Sequence, residues 1–163
     1  TPGILFLLKG EKMDLTPDWV VGFVDGEGCF YVGFYTHPEM TVGYQVLPEF
    51  KVVQHYRDIK ILYALKRFFK CGVVRKNHED RYEFRVRKID DLVKIVNFFE
   101  KHPLKTSKNV NFKKFAKIIR KMQKGEHISI EGLKEIIKTS LEMNTRNKSI
   151  AEKILKEIKR ETG

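Results

Sequence analysis

The sequence predicts an α+β fold in which four antiparallel strands form a sheet with helices on one side. Three observations lead to this prediction: apolar residues recur with helical spacing in several segments, polar and apolar residues alternate in four others, and the chain after residue 103 is almost entirely helical in pattern. Alternation places the apolar residues of each strand on one side of the sheet. Helices packed on that side give an αββαββα order followed by C-terminal helices.

The first predicted elements are a helix and a pair of strands. Thr16 can cap the helix and Pro17 suits its first turn, and we expect the helix to end near residue 24 or 25. Residues 29–35 and 44–54 alternate as strands. Pro48, in the middle of the second strand, favours an edge position or a bulge because proline lacks the N–H group that a ladder needs.

The remaining elements are a helix, a hairpin and four more helices. Further helices are predicted at residues 58–70, 90–101, 109–124, 130–143 and 149–160. A hairpin is predicted between residues 73–77 and 81–88. The last helix is expected to begin with a capping box from Ser149 to Glu152. We therefore expect an N-terminal extension (residues 1–12), a core domain (residues 13–124) and a helical tail packed on the core (residues 125–163).

Composition restricts what the protein can bind. The chain has 163 residues, of which 42% are hydrophobic, enough for an ordinary core. Its 32 Lys and Arg against 21 Asp and Glu give a net charge of +11, which attracts polyanions such as nucleic acids or an anionic membrane surface. The apolar run at residues 4–8 is far shorter than the ~20 residues of a membrane span. Two cysteines without a CxxC motif favour an intracellular location, cytoplasmic or organellar.

The junction between the first helix and the first strand reads VVGFVDGEG, residues 20–28. Gly22 and Gly26 lie four residues apart on one side of the helix, which allows the backbones of two such helices to approach closely. Glu27 stands between two glycines where the helix gives way to the strand. Glu27 either merely closes the helix or carries out chemistry there.

This stretch resembles the motif that names the LAGLIDADG homing endonucleases, and the element order resembles theirs over roughly residues 17–122. A single copy of the motif occurs, which in this family implies a homodimer. The resemblance assigns the contact between the two motif helices to Val21, Gly22, Asp25 and Gly26. Asp25 is expected to be a structural hydrogen-bonding or interface residue, whereas two Glu27 carboxylates would meet near the two-fold axis.

The resemblance also implies a catalytic site that depends on a divalent metal. Glu27 is expected to bind the metal, helped by the Gly26 carbonyl, because Mg²⁺ prefers oxygen ligands. Gln54, near the end of the second strand, is expected to orient a solvent molecule. Lys108 is expected to approach the scissile phosphate, with Lys105 as the alternative.

One position departs from the family pattern. Relatives often carry a basic residue four positions after the residue that Gln54 matches, but Asp58 stands there in this chain. Arg57 or Lys60 would have to take its place from either side. The assignment of this third basic group is therefore left open.

The polar face of the predicted sheet supplies candidates for DNA recognition. Arg suits guanine, Gln and Asn suit adenine, and Glu can accept a hydrogen bond from cytosine. Strand alternation nominates Tyr31, Tyr35, Gln45, Glu49, Lys51, Arg75, Asn77, Arg81, Glu83, Arg85 and Arg87. The alternative for this face is an ordinary solvated surface.

The function implied by the resemblance is site-specific cleavage of double-stranded DNA. A homodimer would bind a long pseudo-palindromic site and hydrolyse both strands, leaving 3′ overhangs. Mg²⁺ is the expected cofactor, Mn²⁺ is expected to substitute, and Ca²⁺ is expected to support binding without cleavage. The alternatives are a catalytically inactive RNA-splicing maturase and a DNA-binding regulator on the same scaffold; no membrane partner is expected.

Overall fold

The computed structural model describes residues 13–143 and 148–162. The helices are α1 (Pro17–Glu27), α2 (Ile59–Phe69), α3 (Ile89–Lys101), α4 (Lys108–Gln123), α5 (Ile130–Leu141) and α6 (Lys148–Thr162). The strands are β1 (Gly28–Thr36), β2 (Tyr44–His55), β3 (Val73–His78) and β4 (Arg81–Val86). They form one antiparallel sheet in the order β1-β2-β4-β3. The predicted α+β class and αββαββα order are confirmed, and the predicted extension at residues 1–12 lies outside the described residues.

Helix α1 begins as predicted and ends later than predicted. Thr16 Oγ1 accepts a hydrogen bond from Trp19 N at 3.3 Å, and Pro17 is the first helical residue. The helix continues through Gly26 to Glu27 because Gly28, where the backbone becomes extended, ends it. A Cβ atom at Gly28 would lie 2.6 Å from Val24 Cγ1, so only glycine lets the chain turn this close to the helix.

Three further local predictions need correction. β2 lies between β1 and β4, so the edge position predicted from Pro48 is wrong. The missing N–H of Pro48 is tolerated by the ladder with β4 because that ladder begins only at Phe50. Ser149 lies inside α6, which already includes Lys148, so the predicted capping box is wrong. β4 ends at Val86, which leaves Arg87 just beyond the strand.

The β3–β4 hairpin has a tighter turn than predicted. Lys76 pairs with Tyr82, but His78 pairs with Arg81, so Asn77 is an extra residue in β3. This bulge carries β3 through His78 and leaves a two-residue turn. Glu79 in that turn adopts a left-handed backbone conformation, with φ of 50°.

The chain forms two compact units, the first from residues 13–29 and 50–105 within the described range. Its core is built from phenylalanine rings: Phe50 lies 6.3 Å from Phe84 and 5.9 Å from Phe99 between ring centroids. Leu62 and Leu65 of α2 are fully buried. Within this unit α2 and α3 therefore cover the side of the sheet that carries Phe50 and Phe84.

The second unit contains residues 30–49, 106–143 and 148–162 of the described chain. Phe30 of β1 packs against Phe112 and Phe115 of α4, with ring centroids 5.4 and 5.2 Å away. The first residue of β2 is tied to the last helix because Tyr44 Oη donates a hydrogen bond to Glu157 Oε2 at 2.6 Å. This hydrogen bond, aided by burial, raises the pKa of Tyr44 to about 12.

Neither Cys29 nor Cys71 forms a disulfide. Cys29 is exposed at the start of β1, whereas Cys71 is half-buried after α2, and burial raises the pKa of the Cys71 thiol. Among the helices of residues 13–143 and 148–162, none is long and apolar enough to span a membrane.

Candidate active site and nucleic-acid interface

Glu27 is the last residue of α1, and its side chain is exposed. It makes no hydrogen bond or ion pair with the residues that the structure describes. Gly22 and Gly26 are exposed as well, and a Cβ atom at either would meet no described atom within 4 Å. The glycine side of α1 is therefore open, and it ends at an acid that is available to a ligand.

Two aromatic residues border the glycines on α1. Trp19 and Phe23 stack with ring centroids 4.9 Å apart, and Trp19 is 41% exposed. Sequence reasoning did not single them out, although their four-residue spacing runs parallel to that of the glycines. Val21, by contrast, is 6% exposed and packs inside its own unit. The exposed members of the predicted helix contact are thus Gly22 and Gly26.

Asp25 holds the chain segment that follows α3. Its Oδ2 atom accepts a hydrogen bond from the backbone N of Lys105 at 2.7 Å. This contact joins residues 80 positions apart within the first unit. Lys105 is the alternative catalytic lysine, and this hydrogen bond anchors its backbone to Asp25. Asp25 lies two residues before Glu27 in the motif.

Gln54 and Lys108 lie in different units of the chain. Gln54 pairs with Tyr82 near the end of β2, is half-buried, and donates from Nε2 to the carbonyl of its neighbour Val53 at 2.9 Å. Lys108 is the first residue of α4, is half-buried, and donates from its backbone N to Thr106 Oγ1 at 3.2 Å.

The basic residues near the departure from the family pattern are arranged around Asp58. Arg57 Nε lies 3.9 Å from Asp58 Oδ2, and the Arg57 side chain is largely exposed. An exposed pair at this distance contributes little to stability and can exchange partners. Lys60 is half-buried in the first turn of α2. Arg57 is thus paired with the acid that stands where relatives often carry a basic residue.

The oxygen donors at the end of α1 suit a hard divalent cation in kind. The Gly26 carbonyl lies in the last helical turn, where carbonyls lack partners within the helix, and Glu27 supplies a carboxylate. Their number is small: the described residues contain no group of three or more His, Cys, Asp or Glu side chains that could hold a metal ion. A site here needs further ligands from another molecule.

The sheet carries a polar face on the side away from Phe50 and Phe84. In the first unit, Lys51 pairs with Arg85 on that face, and Glu83 lies between Val53 and Arg75. Most of its cations are at least partly exposed, but Glu49 and Glu83 are each 7% exposed. The bulge at Asn77 turns His78 toward this face as well, opposite Arg81, which simple alternation did not reveal.

In the second unit, β1 carries two tyrosines that were also predicted to contact DNA. Tyr31 and Tyr35 flank Gly33, and a Cβ atom there would lie 3.2 and 2.9 Å from their rings. Tyr35 is 49% exposed, and Gln45 on β2 is half-buried. Exposed aromatic rings beside polar strands are typical of surfaces that contact nucleic acids.

Known proteins resemble this chain in both sequence and structure. The model of the LAGLIDADG endonuclease family matches residues 20–119. The crystal structure of a homing endonuclease, I-TnaI, is 63% identical, with a TM-score of 0.88 over 90% of this chain and 99% of that one. The I-SmaMI LAGLIDADG homing endonuclease, solved bound to cleaved DNA, is 29% identical, with a TM-score of 0.85 over 91% of this chain and 50% of that one.

Several curated relatives are longer than this chain. The probable intron-encoded endonuclease 2 of Neurospora crassa is 32% identical over 133 residues, which cover 80% of this chain and 29% of that protein. The chain therefore spans less than a third of that relative. I-SmaMI has also been solved bound to an uncleaved DNA target in the presence of calcium ions; that structure is 30% identical, with a TM-score of 0.83 over 86% of this chain and 48% of that one.

Proposed function

Because the chain belongs to the LAGLIDADG endonuclease family, we propose that it is a homing endonuclease that acts on double-stranded DNA as a homodimer. One observation carries the proposal: the single motif helix ends at an exposed Glu27, beside a strip of exposed glycines. The chain matches 99% of I-TnaI but only half of I-SmaMI, which supports one motif domain per chain and two chains per site.

The dimer follows from the open side of α1. Gly22 and Gly26 allow a second copy of the helix to approach with its backbone close to the first. A two-fold axis between them brings the two Glu27 carboxylates together. Two acids in that position repel each other, so the arrangement requires cations between or beside them.

The chain's residues divide the work of hydrolysis. Glu27 and the Gly26 carbonyl would hold Mg²⁺, which would supply Lewis-acid polarisation of the phosphate and a more acidic water. Gln54 orients the attacking water. Lys108, with Lys105 as the alternative, neutralises charge on the phosphate; the hydrogen bond from Lys105 N to Asp25 supports the alternative because it fixes the lysine's backbone beside the motif helix.

The polar face of the sheet recognises the DNA. Each protomer follows about one turn of major groove, ~10 base pairs, so the dimer covers ~20 base pairs with pseudo-palindromic halves. Arg, Asn and Gln side chains on β1–β4 contact base edges, and lysines contact phosphates. Cleavage of both strands across the central minor groove leaves 3′ overhangs.

Cleavage of a DNA duplex that spans the intronless host junction tests the proposal. We expect cleavage with Mg²⁺ or Mn²⁺, and binding without cleavage with Ca²⁺. Glu27→Gln is expected to bind normally and to lose cleavage by about a thousandfold, since it loses a charged metal ligand. Glu152→Gln, which removes the same charge from an exposed site on α6, is the matched control and should cut normally.

Three outcomes would contradict the proposal. Cleavage by Glu27→Gln would remove Glu27 from the mechanism. Binding with either cation and cleavage with neither would favour a DNA-binding regulator. Selective retention of intron RNA without DNA cleavage would favour a splicing maturase.

A further inference from the structure

The β3–β4 hairpin holds one side-chain amide in a fixed orientation on the polar face. Asn77 Nδ2 donates a hydrogen bond to Glu83 Oε1 at 3.0 Å. Alternation from Arg75 already places Asn77 on the polar face, and the bulge at Asn77 brings the next residue, His78, to the same face.

Glu83 is unusual for a residue on this face. It is only 7% exposed, although its neighbours Arg75 and Arg81 are exposed. Buried acids persist where they are paired or hydrogen-bonded, and Asn77 supplies such a bond. Glu83 is therefore largely covered, which favours a supporting role over the direct base contact that alternation predicted.

The chemistry of the pair fixes which end of the Asn77 amide points outward. An ionised carboxylate only accepts hydrogen bonds, so the atom that faces Glu83 must be Nδ2. The Oδ1 carbonyl and the second N–H of Nδ2 make no hydrogen bond with the described residues. One acceptor and one donor, side by side, match the N6 amino group and the N7 atom of adenine in the major groove.

We infer that Asn77 and Glu83 act as one specificity unit: Asn77 reads adenine at one position of each DNA half-site, and Glu83 is the positioning residue that orients its amide. The inference rests on the proposed function, because it requires the polar face to lie in the major groove. Adenine is favoured over guanine because guanine presents two acceptors at this edge, to which the Asn77 carbonyl cannot donate.

The test measures base preference and affinity separately. Duplexes longer than the ~20 base pairs expected for the dimer, with randomised positions, are bound in Ca²⁺, and the bound fraction is sequenced. Asn77→Ala is expected to lower the preference for A·T at one position per half-site by about tenfold. Glu83→Ala is expected to relax the same position while overall affinity holds or rises, since a negative charge leaves a cationic face.

Two further variants separate orientation from structure. Glu83→Gln keeps an acceptor for Asn77 Nδ2 and should retain the preference within a few-fold. The Asn77→Ala/Glu83→Ala double variant should lose no more at that position than either single variant. Lys76→Ala, an exposed neighbour on the opposite side of β3, is the matched control and should leave the preference unchanged.

The outcomes are distinguishable from failure of the proposed function. If the wild-type protein shows no base preference at any position, both proposals are overturned. If the wild-type protein has a preference that survives Asn77→Ala, or if the two single variants relax different positions, only the specificity unit is overturned. Loss of thermal stability with unchanged preference would likewise reduce the pair to a structural contact.

Discussion

In the first unit, two polar contacts lie beside groups that are exposed to other molecules. Asp25 holds the segment at Lys105 next to the open end of α1, and Glu83 holds Asn77 on the polar face of the sheet. In the second unit, polar contacts join helices to one another or to a strand. They pair Tyr44 with Glu157, Lys114 with Glu142, and Lys121 with Glu126 and Glu135.

The difference indicates a division of work within one chain. An acid that accepts a hydrogen bond from a nearby group fixes that group and leaves little of itself for a ligand, as Asp25 and Glu83 do. Glu27, which has no such partner among the described residues, remains available. Variants of these two first-unit contacts should therefore change DNA cleavage or recognition, whereas variants of the second-unit contacts named above should change stability alone.

Among the variants that compare the two units, the largest effect is expected from Gly22→Leu in the first unit. A Cβ atom there meets no described atom within 4 Å, and the helix gains about 1 kcal/mol of intrinsic propensity. The same side chain holds a second α1 helix away, since helix spacing depends on the residues at the contact. We expect a folded, monomeric protein with cleavage reduced more than about a hundredfold, as each site loses one Glu27.

Sedimentation velocity, thermal unfolding and a cleavage assay check this prediction together. Another glycine is unsuitable as a control: Gly125 has a left-handed backbone with φ of 75°, in which leucine would be strained. Thr41→Leu, at an exposed position in the loop between β1 and β2, adds similar apolar surface and should stay dimeric and active. A Gly22→Leu protein that remains dimeric and cuts normally would contradict the role of the α1 glycines in the dimer.

A smaller effect is expected from Asp25→Ala. Removing the acceptor of Lys105 N should lower the free energy of unfolding by about 1–2 kcal/mol. Cleavage should fall about tenfold with DNA binding retained, because the anchored segment loses its position and small misplacements of catalytic groups are costly. Asp25→Asn keeps a side-chain oxygen acceptor and is the control: chemical denaturation and cleavage of the two variants should differ, and identical behaviour would contradict the anchoring role.

The smallest effect is expected from Tyr44→Phe in the second unit. The pKa of Tyr44 is about 12 in the folded chain against 10.0 for an unperturbed tyrosine, so the folded state keeps its proton where the unfolded chain loses it. This contribution to stability is full below pH 10 and is lost as the pH rises toward 12. Because Tyr44 is partly solvated, Phe should lower stability by less than about 1 kcal/mol below pH 10.

Urea denaturation of both proteins across that pH range is the measurement. The wild type should lose stability more steeply than Tyr44→Phe above pH 10, and both should cut DNA equally. Parallel pH profiles would remove the Tyr44–Glu157 contact from the stability of the second unit. A cleavage defect in Tyr44→Phe would contradict the prediction that this contact affects stability alone.

The sequence allowed the fold to be predicted well because its signals are local. Alternation and helical spacing depend on neighbours within a few residues, and the glycines flanking Glu27 stand in one short stretch. The end of α1 was misplaced because Gly28, and not Gly26, is the glycine packed against Val24. That distinction depends on a contact which the pattern of residue types does not contain.

The contacts that hold Lys105 and Asn77 in place could not be predicted from local sequence patterns. The bond from Lys105 to Asp25 joins residues 80 positions apart, and no spacing rule connects them. Alternation predicted both Asn77 and Glu83 as direct readers because it gives the face of a residue and not its burial. The burial of Glu83 depends on the packed chain, and our inference that the two residues have different roles rests on it.

The two thiols described above offer unequal targets for chemical labelling. Burial raises the pKa of Cys71, which leaves less reactive thiolate near neutral pH, whereas Cys29 is exposed two residues after Glu27. A maleimide fluorophore should therefore attach chiefly at Cys29. A dye at that position reports on the end of α1 without any engineered residue. Energy transfer between two labelled chains would then measure whether the chains associate.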